Sequence, residues 1–365
     1  MVKIMAVAGA WPIDEGQAAY TAEHARPAWR EARKECGMTH VHAPEAWRQT
    51  AATILQQRPR TILVLGGGDA GKTSYCRFLI AQLLVAGERP AIVDADVGQK
   101  ILGPPATVTL GYAEGTAEQW TAAADAFYFV GSTGPVGRML PLVVGAAQLV
   151  KAAHAAFVIV DTTGYIEASG RVLKGYKIDA VRPDLIVAIQ KHGELEAVLR
   201  SHATYPTIRI RPSRKARPRD RWERDIAREM AFADYFGQAQ RFEVKLDALI
   251  FQRSLLFTGE PIEIPGAVYA ERTVEGVVAV SEGPISSPEI VKSIKPGFER
   301  NLLCGVADER NRGVGLALIE SIDFNRRGIF LISPVPAGQV RVLQLGDLYI
   351  GRDGRELGQL EREGL

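Results

Sequence analysis

The sequence predicts an α/β fold: a mainly parallel sheet flanked by helices, followed by a C-terminal antiparallel β domain. Three observations predict it. Short apolar runs of strand length alternate with helix-length segments between residues 44 and 240, and the first of those runs opens into a glycine loop. After about residue 240 the texture changes to strand-like runs broken by Gly, Pro and Asp. Strands alternating with helices imply βαβ units and a sheet covered on both faces.

Taken in order, residues 1–43 are the hardest to read, with helix-like spacing around Ala25–Cys36. The opening MVKIMAVAGAW is a poor signal peptide, because its apolar stretch is of minimal length, and it reads better as a buried first strand. From Pro44 to about residue 240 the pattern is clear. Glu45–Gln57 reads as a helix, Thr61–Leu65 as a buried strand, Lys72–Val85 as a helix and Pro90–Val93 as a second strand. Further strands are expected at Ala126–Val130, Ala156–Val160 and Leu185–Ile189, with a helix at Leu140–Ala153. Residues 241–365 form the β domain, with runs at Phe242–Phe251, Glu275–Val280, Leu302–Val306, Val314–Ile322, Gly328–Ile332 and Val340–Tyr349. Ala307–Gly313 reads as a hairpin loop.

Composition bounds the function. The chain has 365 residues, 47% hydrophobic and 24% charged, which excludes a mostly disordered or fibrous protein. Three cysteines far apart (Cys36, Cys76, Cys304) indicate neither a disulfide framework nor a zinc site. No apolar run reaches the roughly 18 residues of a membrane span, and a cytoplasmic protein is expected. The 44 Lys+Arg against 42 Asp+Glu leave a net charge of only +2. A total says nothing of distribution, however.

Gly66-Gly67-Gly68-Asp69-Ala70-Gly71-Lys72-Thr73 fits G-x-x-x-x-G-K-[ST] and lies between a predicted strand and a predicted helix. Such a loop turns backbone N–H groups inward around phosphates, and the helix N-terminus adds its dipole. Gly66, Gly68, Asp69, Ala70, Gly71, Lys72, Thr73 and Ser74 are therefore the expected nucleotide-binding residues of a P-loop NTPase. Lys72 would reach the β- and γ-phosphates, and the Thr73 hydroxyl would ligate Mg²⁺. Two later strand ends carry carboxylates on the same edge of the sheet: Asp94 and Asp96 in AIVDADVGQ, and Asp161 in FVIVDTTGY. Asp161 begins a D-x-x-G motif in which the Asp holds Mg²⁺ and the Gly amide senses the γ-phosphate. Asp94 or Asp96 could deprotonate or orient an attacking hydroxyl. A guanine-specific N-K-x-D is missing: the corresponding position reads Gln190-Lys191-His192-Gly193, so ATP is favoured over GTP.

Charge is concentrated in one place. Residues 209–228 hold eight Arg and one Lys against three acids, a net +6 in twenty residues. Pro218 suits the first turn of a helix running to about Phe236, and Arg217, Arg221, Arg224 and Arg228 then share one face. The pattern reads as a lid that closes on a triphosphate and a polyanion.

These residues together resemble the polynucleotide 5′-hydroxyl kinases, the family that includes the kinase-fold subunit of the mRNA cleavage-and-polyadenylation machinery, the pre-ribosomal-RNA-processing kinases and archaeal homologues. The resemblance runs from about Pro44 to Gly237. It covers GGGDAGKTS, VDADVGQ, Gly103–Pro105, FVGSTGP, VVG, VDTTGY and the Arg-rich helix leading to Tyr235-Phe236-Gly237. It implies that Lys72 is catalytic, that Asp96 activates the 5′-hydroxyl and that Thr73, Asp96 and Asp161 serve the metal. The family's lid spacing, R-x₄-R-x₃-R, falls on Arg219, Arg224 and Arg228 and so prefers Arg219 to Arg221. Asp94, Gln99, Thr133, Thr162, Gly164 and Tyr165 are the implied substrate contacts. Tyr165 stands where eukaryotic members carry a base-clamping Trp; a tyrosine can also stack. The implied activity is ATP- and Mg²⁺-dependent phosphorylation of the 5′ end of single-stranded RNA, with DNA as a further acceptor. Two other readings stay open from the residues alone: an ATP-binding assembly factor with little turnover, and a small-molecule or metal-chaperone NTPase.

Overall fold

The computed structural model describes residues 34–35, 42–254, 256–285 and 289–360. The strand expected at the very start of the chain lies outside these residues. The described chain begins with the two-residue strand β1 (Lys34–Glu35), at the end of the segment whose spacing looked helical. Helix α1 (Glu45–Gln57) leads to β2 (Thr61–Gly66), helix α2 (Lys72–Val85) and β3 (Ala91–Ala95). Then come β4 (Thr107–Gly115), β5 (Trp120–Phe129), α3 (Met139–Ala152), β6 (Val158–Thr162) and α4 (Ser169–Val181). Strand β7 (Leu185–Ile189), α5 (Glu196–Ser201), β8 (Thr207–Ile210) and α6 (Arg221–Phe236) complete the first part.

Strands β3, β6, β2, β7 and β8 are parallel and stand in that order. Every residue of β2, β3, β6 and β7 is buried, which is why these segments read as unbroken apolar runs and not as alternating ones. One face is covered by α1 and α2, through Trp47, Ile54, Tyr75 and Leu79. The other is covered by α3, α4 and α5, through Leu142, Leu149, Leu173, Ile178 and Leu199.

One expectation is corrected. Ala126–Val130 is not a further parallel strand but the end of β5, which pairs antiparallel with β4, as β4 does with β3. Strand β5 follows β4 after only the four residues 116–119, which leave room for a hairpin turn and none for a crossover helix.

Beyond α6 the strands are β9 (Gln240–Lys245), β10 (Ile250–Gln252), β11 (Glu260–Pro261), β12 (Tyr269–Thr273), β13 (Gly276–Val280) and β14 (Ile290–Ile294). They continue as β15 (Leu302–Ala307), β16 (Gly313–Asp323), β17 (Gly328–Ser333), β18 (Val342–Ile350) and β19 (Glu356–Gln359). Strands β11–β14 make a small sheet of their own. The rest continue the main sheet, since β16 joins β5 through the pair Gly313 and Phe127. Pairing here is mostly antiparallel, and β15 and β16 form the hairpin expected around Ala307–Gly313.

Helix α6 links the two parts. Its Phe232 and Phe236 are buried among Leu303, Leu316, Leu318, Ile332, Leu348 and Ile350 of the C-terminal strands. The Leu316 amide also donates to the Tyr235 hydroxyl at 2.7 Å. Phe232→Ala is expected to cost about 3–5 kcal/mol in a urea titration. A loss below about 1 kcal/mol would mean that this core does not hold the helix.

Candidate active site

The glycine loop follows β2 directly, and its backbone conformation explains its sequence. Gly71 adopts φ +85° at the entry to α2, and Asp69 lies in the left-handed region at φ +53°. The loop rests on α1, whose Trp47 is fully buried, meets Tyr75 edge-on at 5.3 Å and donates from its indole N–H to the Arg211 carbonyl at 3.3 Å. The Lys72 ammonium curls back to the Gly67 carbonyl at 2.8 Å, so it lies inside the loop where a phosphate would sit. Ser74 is exposed on the outer side of α2, while Ala70 is buried and its amide closes onto the Gly67 carbonyl at 3.4 Å.

The T-x-G turn after β6 packs on this loop. A Cβ on Gly164 would lie 2.7 Å from the Gly68 Cα, so only glycine allows the approach. The Thr73 hydroxyl donates to Asp161 Oδ2 at 2.8 Å. This pair of hard oxygens beside a phosphate cradle fits Mg²⁺, which takes few protein ligands and completes its shell with water and phosphate.

Strands β3 and β6 are in register, with Asp94 opposite Asp161, and both carboxylates are fully buried. The Asp94 carboxylate is enclosed by the loop that follows it. Its Oδ2 accepts from the Ile101 and Leu102 amides at 2.6 and 2.9 Å, its Oδ1 from the Asp96 amide at 3.1 Å, and Lys100 lies 3.3 Å away. It is the organiser of the 96–102 loop. The Thr162 side chain is likewise turned inward, donating to the Val64 carbonyl at 2.8 Å.

Asp96 is half-buried, and its Oδ1 accepts from the Gly98 and Gln99 amides at 3.0 and 3.1 Å. Thr73 bonds Asp161 and not Asp96. Thr133 lies over the Asp96 turn: a Cβ on Gly98 would come within 2.9 Å of its carbonyl oxygen. Tyr165 packs on the start of α4, with its hydroxyl 2.6 Å from Ser169 Oγ.

The lid helix begins at Arg221, later than Pro218 suggested, because Asp220 and Glu223 form a capping box. That shift breaks the predicted arginine stripe. Arg217 precedes the helix and pairs with Glu223 at 2.9 Å, and the Arg221 side chain is 97% exposed. Arg219 instead bonds Gln99 Oε1 at 3.2 Å, and the same Gln99 donates to the Arg224 carbonyl at 3.1 Å. Arg224 reaches across to Asp69 of the glycine loop at 2.6 Å. Arg228 pairs with Asp225 at 2.6 Å and with Glu356 at 2.8 Å. The structure thus gathers Arg219, Arg224 and Arg228 over the crevice.

Sequence reasoning missed Lys174 and Lys177. Both are completely buried, on the same face of α4 as Leu173 and Ile178. Lys174 donates to the Thr163 carbonyl at 2.5 Å and holds the T-x-G turn, and burial depresses its pKa well below the ordinary value. Lys177 has no hydrogen-bond partner, and burial lowers it to about 8. The signal was present: two lysines in the helical phase of apolar residues.

Burial, with the Asp94 carboxylate alongside, raises Asp161 from 3.8 to about 7. A carboxyl whose folded pKa is raised binds its proton more tightly when folded, so its contribution to stability falls as pH rises between those two values. In metal-free buffer, the melting temperature of the wild type should therefore fall relative to Asp161→Asn from pH 5 to pH 8. A gap that stays constant across that range would contradict the assignment.

Comparison with known proteins shows the family. Residues 66–238 match the family described as mRNA cleavage and polyadenylation factor CLP1 P-loop. A polyribonucleotide 5′-hydroxyl-kinase of Pyrococcus abyssi is 32% identical over 332 residues, spanning 85% of this chain and 93% of that protein. One of Pyrococcus furiosus is 33% identical over 343 residues, spanning 88% and 97%. The wild-type Clp1p–Pcf11p (454–563) complex superposes with a TM-score of 0.57 over 84% of this chain and 80% of the matched one, at 14% identity, a likeness of fold alone. With relatives this similar over nearly their whole length, the chain belongs to the polyribonucleotide 5′-hydroxyl-kinase family, built on the CLP1 P-loop domain.

Proposed function

We propose that this protein moves the γ-phosphate of ATP onto the 5′-hydroxyl of single-stranded RNA. The observation that carries the reading is the span of the lid. One helix is bonded to the glycine loop through Arg224 and Asp69, and through Gln99 to the turn that bears Asp96. Donor-side and acceptor-side residues therefore share one arginine-covered crevice, as a transfer between two bound substrates requires.

In this reading the loop amides and Lys72 bind the triphosphate. Thr73 and Asp161 would hold Mg²⁺, which supplies neutralisation of phosphate charge when bound. Asp96 takes the proton from the 5′-hydroxyl as its oxygen bonds to the γ-phosphorus. The bond from that phosphorus to the β–γ bridging oxygen breaks, and ADP leaves. Arg224 exchanges Asp69 for phosphate oxygen as the lid closes, and Arg219 and Arg228 add positive charge around the transferring group. Gly164 keeps the T-x-G turn against the phosphate loop, Asp94 and Thr162 hold their loops from within, and Tyr165 offers a ring for the acceptor base. The natural partner is the 5′ end of a single strand, with DNA a second acceptor, and the protein works in the cytoplasm. No helix among the described residues is long and apolar enough to cross a membrane.

The test is transfer of labelled γ-phosphate from ATP to 5′-hydroxyl oligonucleotides, RNA and DNA in parallel. Label should appear on RNA. Asp96→Asn should slow transfer by about 10²–10⁴-fold, and Arg224→Ala by about 10²–10³-fold, both with ATP binding retained. Tight ATP binding without label on either polymer would sink the proposal in favour of an assembly factor. The 209–217 arm adds a salt dependence: binding of a short RNA should weaken with a log–log slope of about −1 to −3. A slope near zero would remove the arm from the acceptor's path.

A further inference from the structure

The C-terminal strands do more than cover the lid helix. After β18 the chain turns at Gly354, which adopts φ +86°, and this turn is pressed onto α6. A Cβ at that position would lie 2.2 Å from the Glu229 carbonyl oxygen and 2.5 Å from the Ala233 amide nitrogen. The turn sets the start of β19 beside the helix, and there Glu356 Oε1 accepts from Arg228 Nε at 2.8 Å. Asp225, three residues before Arg228 on the helix, accepts from its Nη2 at 2.6 Å. Both side chains of the Arg228–Glu356 pair are mostly buried, at 18% and 25% exposure.

Two carboxylates thus hold the Nε and Nη2 edge of the guanidinium. The other end of its planar fork, with Nη1, is left to meet an anion. Arg228 also stands close to the acceptor side, since its Cδ is 3.9 Å from where a Cβ on Gly98 would sit. Arginine loses less freedom per bond when its fork is fixed beforehand, and such fixing is what a transition state rewards.

We propose that Glu356 is a positioning residue that orients Arg228 for phosphoryl transfer, so that the C-terminal strand pair completes the lid. The inference rests on the lid reading of Arg228 given above. Glu356 touches neither substrate and acts only through Arg228.

Steady-state transfer by the full chain is compared for wild type, Glu356→Ala, Glu356→Gln, Arg228→Ala and the Arg228→Ala/Glu356→Ala double variant. Glu356→Ala should lower kcat by about 10- to 100-fold, the loss expected for a misplaced group, with KM for ATP nearly unchanged. Glu356→Gln should recover much of that loss, because an amide oxygen still accepts from Nε. The double variant should be no slower than Arg228→Ala alone. A wild-type kcat in Glu356→Ala, or losses that multiply in the double variant, would overturn the proposal. Hydrogen exchange of the 221–236 amides supplies a readout independent of activity: Glu356→Ala should speed exchange around residues 225–229. If wild type transfers no phosphate, the proposed function fails while exchange still judges the Glu356 contact. Unchanged exchange would refute that contact.

Discussion

The constraint on which the site depends is negative charge gathered at the buried ends of two neighbouring strands. Asp94 and Asp161 stand side by side in the β3–β6 ladder with no access to solvent, and Asp96 follows two residues on. Burying carboxylates is costly unless cations and hydrogen-bond donors surround them. The interior answers with lysines, and most of them also fix a loop. Lys100 binds the carbonyls of Asp94 and Thr107, Lys174 that of Thr163, and Lys72 that of Gly67. Charge balance and loop geometry are therefore one interaction, and phosphate or metal entering the crevice changes both together.

The second organising element is α6, a helix with two different halves. Its C-terminal half is an ordinary amphipathic helix with Phe232 and Phe236 in a core. Its N-terminal half carries the charged residues that reach the glycine loop and the Asp96 turn. Bonds to two loops that come from different strands make the helix sensitive to either ligand. The apolar half is anchored in the C-terminal core, whereas the charged end is held by polar contacts.

Much of this was legible in the sequence because it is local. The strand–glycine loop–helix unit is visible as an apolar run, glycines at set spacing and a helical pattern, and Glu45–Gln57, Lys72–Val85 and Leu185–Ile189 have the bounds expected. The β4–β5 hairpin is hard to see because Ala126–Phe129, though only alternately buried, has the apolar content of a parallel strand; the short 116–119 connection is what sets it apart. Pro218 suggests a helix start about one turn before the one that the capping box of Asp220 and Glu223 sets. Asp94 looked like a site residue because it lies two positions from Asp96, but direction along a strand does not reveal which carboxylate is enclosed by the following loop. The link from Arg228 to Glu356 joins residues 128 apart in the chain, and no local pattern encodes it.

The cover over Phe232 and Phe236 has a consequence for how the protein is made. Ala106 and Phe129 of the first part touch this cluster, but most of the side chains that enclose it come from Leu303 onward and finish with Leu348 and Ile350. During synthesis the strands of the glycine loop leave the ribosome first and can pair, while the apolar half of α6 has to wait for more than a hundred further residues. Chains assemble from the N-terminus at roughly 5–20 residues per second, so that face stays incompletely covered for several seconds. The newborn protein is therefore exposed to aggregation at the apolar half of α6 until its C-terminal strands are made.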